Sequence, residues 1–143
     1  AVEVVKSTGN KNLILLHCNS SYPSTYAEVN LKFINTLRGM YQIPIGFSDH
    51  TTNLLSSKTA IALGSNVIER HFTLNKKMEG PDHILSSDKR EMNELVKFKK
   101  YYMKWDNFRA TKPLDLRGSK FADLTKDESM KFHSMILSEY STV

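Results

Sequence analysis

Three short apolar runs, separated by two segments of helical length, constrain this chain more than any other feature. The first run, Leu13-Ile14-Leu15-Leu16, is apolar without alternation. That is the pattern of a strand covered on both faces in a parallel sheet. The second run spans residues 43–47 and the third begins at Val67-Ile68. Between the first two, residues 27–40 carry Val29, Phe33, Ile34 and Leu37 at helical spacing, with Gly39 near the end. Between the second and third, Leu54, Leu55, Thr59, Ile61, Ala62 and Leu63 form another helical face, stopped by Gly64. Asp88-Lys89-Arg90-Glu91 then has the form of a capping pattern, opening a helix with Met92, Leu95, Val96 and Tyr102. The order predicts an α/β fold of three parallel strands with intervening helices.

A parallel arrangement brings the strand ends to one face of the sheet, where such units keep their chemistry. Two of those ends carry a histidine: His50 in Gly46-Phe47-Ser48-Asp49-His50-Thr51, and His71 in Ile68-Glu69-Arg70-His71-Phe72-Thr73. Imidazoles on neighbouring strand ends can share one metal ion or one anionic substrate. Three strands are too few to close a barrel. They leave one side of the sheet uncovered or borrow cover from another chain, with Leu13, Leu15, Ile43 and Ile45 as the apolar residues at stake.

Composition adds bounds. The 143 residues suit one compact core, and 40% hydrophobic with 24% charged residues reads as globular, not disordered. No apolar run approaches the roughly 20 residues that span a bilayer. The N-terminus resembles no signal or transit peptide. It starts as if inside a helix and without Met, which suggests a fragment or a processed chain. The single Cys18 excludes an intramolecular disulfide and fits a reducing cytoplasm. The net charge of +5 comes mostly from the second half. There Asp88, Glu91, Glu94, Asp123, Asp127 and Glu128 interleave with the cations, so a solvated helix face is favoured over a nucleic-acid surface. Residues 106–143 read differently from the rest, as a basic tail. Lys112-Pro113 and Arg117-Gly118-Ser119 punctuate it, and Thr125-Lys126-Asp127-Glu128 opens a short final helix.

Motifs in order carry a resemblance. His17-Cys18-Asn19-Ser20-Ser21-Tyr22-Pro23, the two histidine motifs above, and Gly80-Pro81-Asp82-His83 are spaced as in the sialic acid synthase family, whose members make N-acetylneuraminate and related nonulosonates. The resemblance covers residues 1–105. It implies that this segment is the last three β/α units of a TIM-type (β/α)8 barrel, with a divergent tail that does not resemble the family's antifreeze-like domain. It further implies condensation of phosphoenolpyruvate with an N-acyl hexosamine such as N-acetylmannosamine. On the same basis His50 and His71 are expected to hold Mn²⁺ or Mg²⁺. Asp82 is expected on sugar hydroxyls, Ser48 on phosphoenolpyruvate, and Ser20 and Tyr22 on substrate. The family's phosphate-binding lysine and catalytic glutamate lie on strands this segment lacks, so the chain alone is expected to be inactive. Self-association or a complementing barrel half is the implied partner.

Other residues have plainer readings. Asp49 and Glu69 are candidates to orient the histidines, unless strand alternation points them away. His17 is divided between site lining and core. His83 reads as a loop stabiliser, His133 as surface or packing, and Cys18 as a small buried residue. Tyr101, Tyr102 and Trp105 read as packing. Rival functions are a noncatalytic remnant, a sugar- or polyanion-binding module and a metal-dependent phosphohydrolase.

Overall fold

A computed structural model describes the backbone elements of residues 1–111 and the side chains of residues 1–104. The predicted tail helix and His133 lie outside the described residues. The elements run α1 (Val2–Ser7), β1 (Leu15–Cys18), α2 (Phe33–Tyr41), β2 (Ile45–Asp49), α3 (Leu55–Ala62), β3 (Val67–Arg70) and α4 (Lys89–Thr111). The strands form one sheet in the order β1-β2-β3. Both pairings are parallel: Leu15 lies opposite Ile45, Cys18 opposite Ser48, Ser48 opposite Glu69 and Asp49 opposite Arg70. Contacts divide the chain into two compact units, Ala1–Trp105 and Asp106–Val143. Among the described residues no helix is long and apolar enough to cross a membrane.

The first two strands start two residues later than their apolar runs. Pro44 explains this. It has no N–H to give a ladder, and its carbonyl instead accepts the Leu15 amide at 3.1 Å, so pairing begins at Leu15 and Ile45.

The helix expected over residues 27–40 is also shorter, Phe33–Tyr41. Glu28 closes a local turn by accepting from the Thr25 amide at 2.9 Å and the Thr25 hydroxyl at 2.8 Å. Those bonds hold its carboxyl below the usual carboxylate range. Asn30 then adopts φ 42°, a left-handed conformation that no continuing helix accepts. At the far end the left-handed cap is Gln42, not Gly39. Gly64 does stop α3, with φ 85°. The capping box forms as expected: the Glu91 amide donates to Asp88 Oδ1 at 2.7 Å and the Asp88 amide to Glu91 Oε2 at 3.1 Å.

Strand alternation sorts the sheet into two faces. Leu15, Ile45, Phe47 and Ile68 face the helices. They pack with Val29, Ile34 and Leu37 from α2 and its entry loop, and with Ala60 of α3. A second cluster joins Leu54, Ile61 and Leu95, flanked by Ile68, Phe98 and Tyr102, and seats α4 on the same side. The Tyr102 hydroxyl donates to the Ala62 carbonyl at 2.8 Å, so Tyr102 packs as expected, whereas Tyr101 is exposed.

Opposite lies the face bearing Leu16, Gly46 and Val67, then Cys18, Ser48 and Glu69. Gly46 is required there, because a Cβ would stand 2.8 Å from the Val67 carbonyl oxygen and run into the Leu16 side chain. The expected list of uncovered residues needs correction. Ile45 is fully buried, and Leu15 and Ile43 pack against the main core, because the helix face claims them. The exposed apolar residue beside β1 is Ile14.

Candidate functional site

His50 follows the last residue of β2 and His71 the last residue of β3, so both stand at the C-terminal edge of the sheet. Their ring centroids are 5.2 Å apart, with planes at 78°. Tyr22, from the loop after β1, completes the group: its ring lies 4.0 Å from His50 and 5.9 Å from His71. The loop is held there by its backbone, since the Ser24 amide donates to the His50 carbonyl at 3.0 Å.

Asn19 orients His50. Its carbonyl lies 3.0 Å from His50 Nδ1, and a carbonyl only accepts, so Nδ1 carries the proton. The Nε2 lone pair is then left for a ligand, as metal-binding histidines require. Cys18 Sγ approaches the same Nδ1 at 4.0 Å. Cys18 is exposed, which corrects its expected burial: its strand position faces the site and not the helices. His71 Nδ1 is 3.7 Å from Asp82 Oδ2, with both side chains partly exposed.

Asp82 hangs on the β3–α4 loop. Gly80 turns it with φ 138°, and the Asp82 carbonyl accepts from the Ser86 amide and hydroxyl at 3.1 and 2.7 Å. His83 bonds Thr73 Oγ1 through Nδ1 at 2.8 Å, the loop role expected of it. Ser48 lies on the site face and donates to Glu69 Oε1 at 2.7 Å. Ser20 is exposed on the loop after β1. The geometry thus gathers Tyr22, His50, His71 and Asp82, sets Ser48 one row deeper, and shows no contact of Ser20 with them.

Three residues whose sequence reading left two roles open are decided by the strand faces. Neither Asp49 nor Glu69 hydrogen-bonds the ring of a site histidine. Asp49 points to the helix side and accepts from the Thr51 amide at 2.9 Å and the Thr51 hydroxyl at 2.8 Å, while Glu69 bonds Ser48. His17 belongs to the core side: its Nε2 bonds the Val29 carbonyl at 2.7 Å, and its ring lies 5.9 Å from Phe47 and 5.5 Å from Phe33. The sequence reading passed over Asn19, whose backbone acts and leaves no trace in residue type. It also passed over Arg70. The available signal was an acid directly before one histidine and a base directly before the other.

The donors suit a divalent ion in kind. Two imidazoles leave positions open for substrate and water. Among the described residues, no group of three or more His, Cys, Asp or Glu side chains gathers to hold a metal.

A family model described as the NeuB family matches residues 1–105, most of the chain. The chain belongs to the NeuB family. It is 50% identical over 84 residues to the N,N'-diacetyllegionaminic acid synthase of Legionella pneumophila, a stretch that is 59% of this chain and 24% of that protein. It is 43% identical over 89 residues to the human N-acetylneuraminate-9-phosphate synthase, or 62% of this chain and 25% of that protein. This NeuB segment therefore spans about a quarter of each of these relatives.

A solved sialic acid synthetase of Leptospira borgpetersenii superposes with a TM-score of 0.70 at 29% identity, covering 96% of this chain and 44% of that one. A spore coat polysaccharide biosynthesis protein of Bacillus subtilis gives 0.71 at 30% identity, covering 88% and 36%. The fold of the NeuB segment is thus part of a TIM-type barrel, as the family resemblance implies.

Proposed function

We infer that this chain supplies the metal-binding part of a nonulosonate synthase site, working in carbohydrate biosynthesis. The observation that carries the reading is the convergence of His50, His71 and Tyr22 at the C-terminal ends of parallel strands, with Asp82 beside His71. Membership of a family whose members include legionaminic and sialic acid synthases supports the chemistry. The reaction is the condensation of phosphoenolpyruvate with an N-acyl hexosamine. The enolpyruvyl C3 bonds to the open-chain aldehyde carbon, water adds at C2, and phosphate leaves by C–O cleavage.

In this reading His50 and His71 hold Mn²⁺ or Mg²⁺. Bound there, such an ion would supply Lewis-acid polarisation of the aldehyde oxygen. Asn19 keeps His50 in the tautomer that presents Nε2. Asp82 accepts from sugar hydroxyls, placed by the turn at Gly80. The Ser48 hydroxyl contacts phosphoenolpyruvate, and its bond to Glu69 sets its direction. Tyr22 lies across His50 and, with Ser20, borders the substrates. Residues 1–105 form the barrel segment and 106–143 a tail whose acidic and basic residues balance. Phosphoenolpyruvate supply and one unpaired Cys18 fit a cytoplasmic setting.

The test is Mn²⁺ titration of the chain by calorimetry. Weak binding that vanishes in His50→Ala/His71→Ala supports the site, whereas unchanged affinity in that variant removes it. A second reading, a segment that works only when joined by the remaining barrel strands, is favoured by its covering about a quarter of the synthases. Mixing with a polypeptide carrying the remaining barrel strands and finding restored synthesis would establish it.

A further inference from the structure

We propose that the buried Asp49–Arg70 pair positions the two histidines and the Asp82 loop as one unit. This inference rests on the metal reading above only for its affinity readout. Asp49 and Arg70 face each other across the β2–β3 pairing, and each directly precedes a site histidine. The side chains are 0% and 1% exposed and form a salt bridge on the helix side of the sheet. Burying such a pair is costly unless the remaining donors and acceptors are filled.

Here they are filled from the segments that follow β2 and β3. Arg70 Nη2 donates to the Thr51 carbonyl at 2.8 Å and the Leu85 carbonyl at 3.1 Å, Nη1 to the Asn53 carbonyl at 3.0 Å, and Nε to Ser87 Oγ at 2.7 Å. Asp49 takes the Thr51 amide and hydroxyl, and the Ser57 hydroxyl of α3. The guanidinium fork therefore clamps residues 51–53, just after His50, to residues 85–87, which end the loop carrying Asp82. The Ser87 amide closes the circuit by donating to the His71 carbonyl at 2.8 Å. No atom of the pair reaches the site face, so its action on the histidines passes through backbone alone. It is a positioning pair.

The experiment uses the 143-residue chain and compares Arg70→Met, Arg70→Lys and Ser87→Ala with the unchanged protein. Melting temperature, the ring resonances of His50 and His71, and Mn²⁺ affinity are read for each. Arg70→Met is expected to shift both histidine resonances and to weaken Mn²⁺ about tenfold or more, the scale of lost orienting partners. Arg70→Lys, which restores a cation beside Asp49 but not the fork that ties residues 51–53 to 85–87, is expected to recover only part of the affinity. Folded Arg70→Met with unmoved resonances and full affinity would overturn the proposal. Should Arg70→Met not fold, Ser87→Ala decides, since it removes one bond and keeps the ion pair. Displaced His71 resonances at unchanged melting temperature support positioning, and unmoved ones overturn it. If the unchanged protein binds no Mn²⁺, the metal reading falls, while the resonances still judge the clamp.

Discussion

At the scale of single residues, side chains with near-equal claims in the sequence divide by the face they occupy. Cys18, Ser48 and Glu69 share one row on the site face, while His17, Asp49 and Arg70 sit on the helix side. Gly46 shows how little space separates the rows. Gly46→Ala puts a methyl against the Val67 backbone, which has no side chain to swing aside. A loss of about 1–3 kcal/mol is expected, the usual range for overpacking, read as a lowered thermal midpoint. A site residue behaves differently. In a complete barrel, Asp82→Ala should raise the KM for the N-acyl sugar more than that for phosphoenolpyruvate, because its carboxylate is assigned to sugar hydroxyls. Equal effects on both substrates in steady-state kinetics would remove that assignment.

At the scale of elements, a reciprocal pair of polar bonds sets the start of α4. The reciprocal Asp88–Glu91 box begins α4, and Asp88→Ala should cost about 0.5–2 kcal/mol. Faster amide exchange confined to the first turn of α4 is the accompanying sign. The Thr25–Glu28 turn responds to pH instead. Bonding to Thr25 lowers the Glu28 pKa in the folded chain, so its contribution is complete above the ordinary glutamate range. It is lost as pH falls through the depressed value. The Thr25 amide should therefore lose protection, relative to its intrinsic exchange rate, as pH falls and before the sheet amides do, and Glu28→Gln should remove that dependence.

At the scale of the whole molecule, the segment is a sheet with one helix-covered face and one bearing a partial site. The edge of β1 away from β2 pairs with no other strand among the described residues, and Ile14 beside it is exposed. Open edges and uncovered apolar surface favour association. Sedimentation is expected to show dimers or larger species, and a sharply melting monomer would contradict this. The chain alone should give no detectable nonulosonate from phosphoenolpyruvate, N-acetylmannosamine and Mn²⁺. Positioning and electrostatic stabilisation are commonly worth several orders of magnitude in rate, and two imidazoles with one carboxylate supply only part of both. Clear turnover would show that association or the tail completes the site.

The β/α order, the histidines at the strand ends, the stop at Gly64 and the α4 capping box were all legible in the chain. Each is a local pattern of polarity, turn chemistry or spacing, and such patterns survive without knowledge of neighbours. The tertiary structure decided what depends on partners distant in sequence. It moved β1 and β2 onto the ladder that Pro44 permits and ended the Thr25 turn at Asn30. It sent His17 to the core and turned Cys18 to the site. Asp49 and Arg70 were set against each other, and the Asn19 carbonyl was set to accept a hydrogen bond from His50 Nδ1. Residue type cannot encode a backbone carbonyl's partner, and alternation assigns a face only once the strand's first residue is known, because a shift of one residue exchanges every side chain between faces.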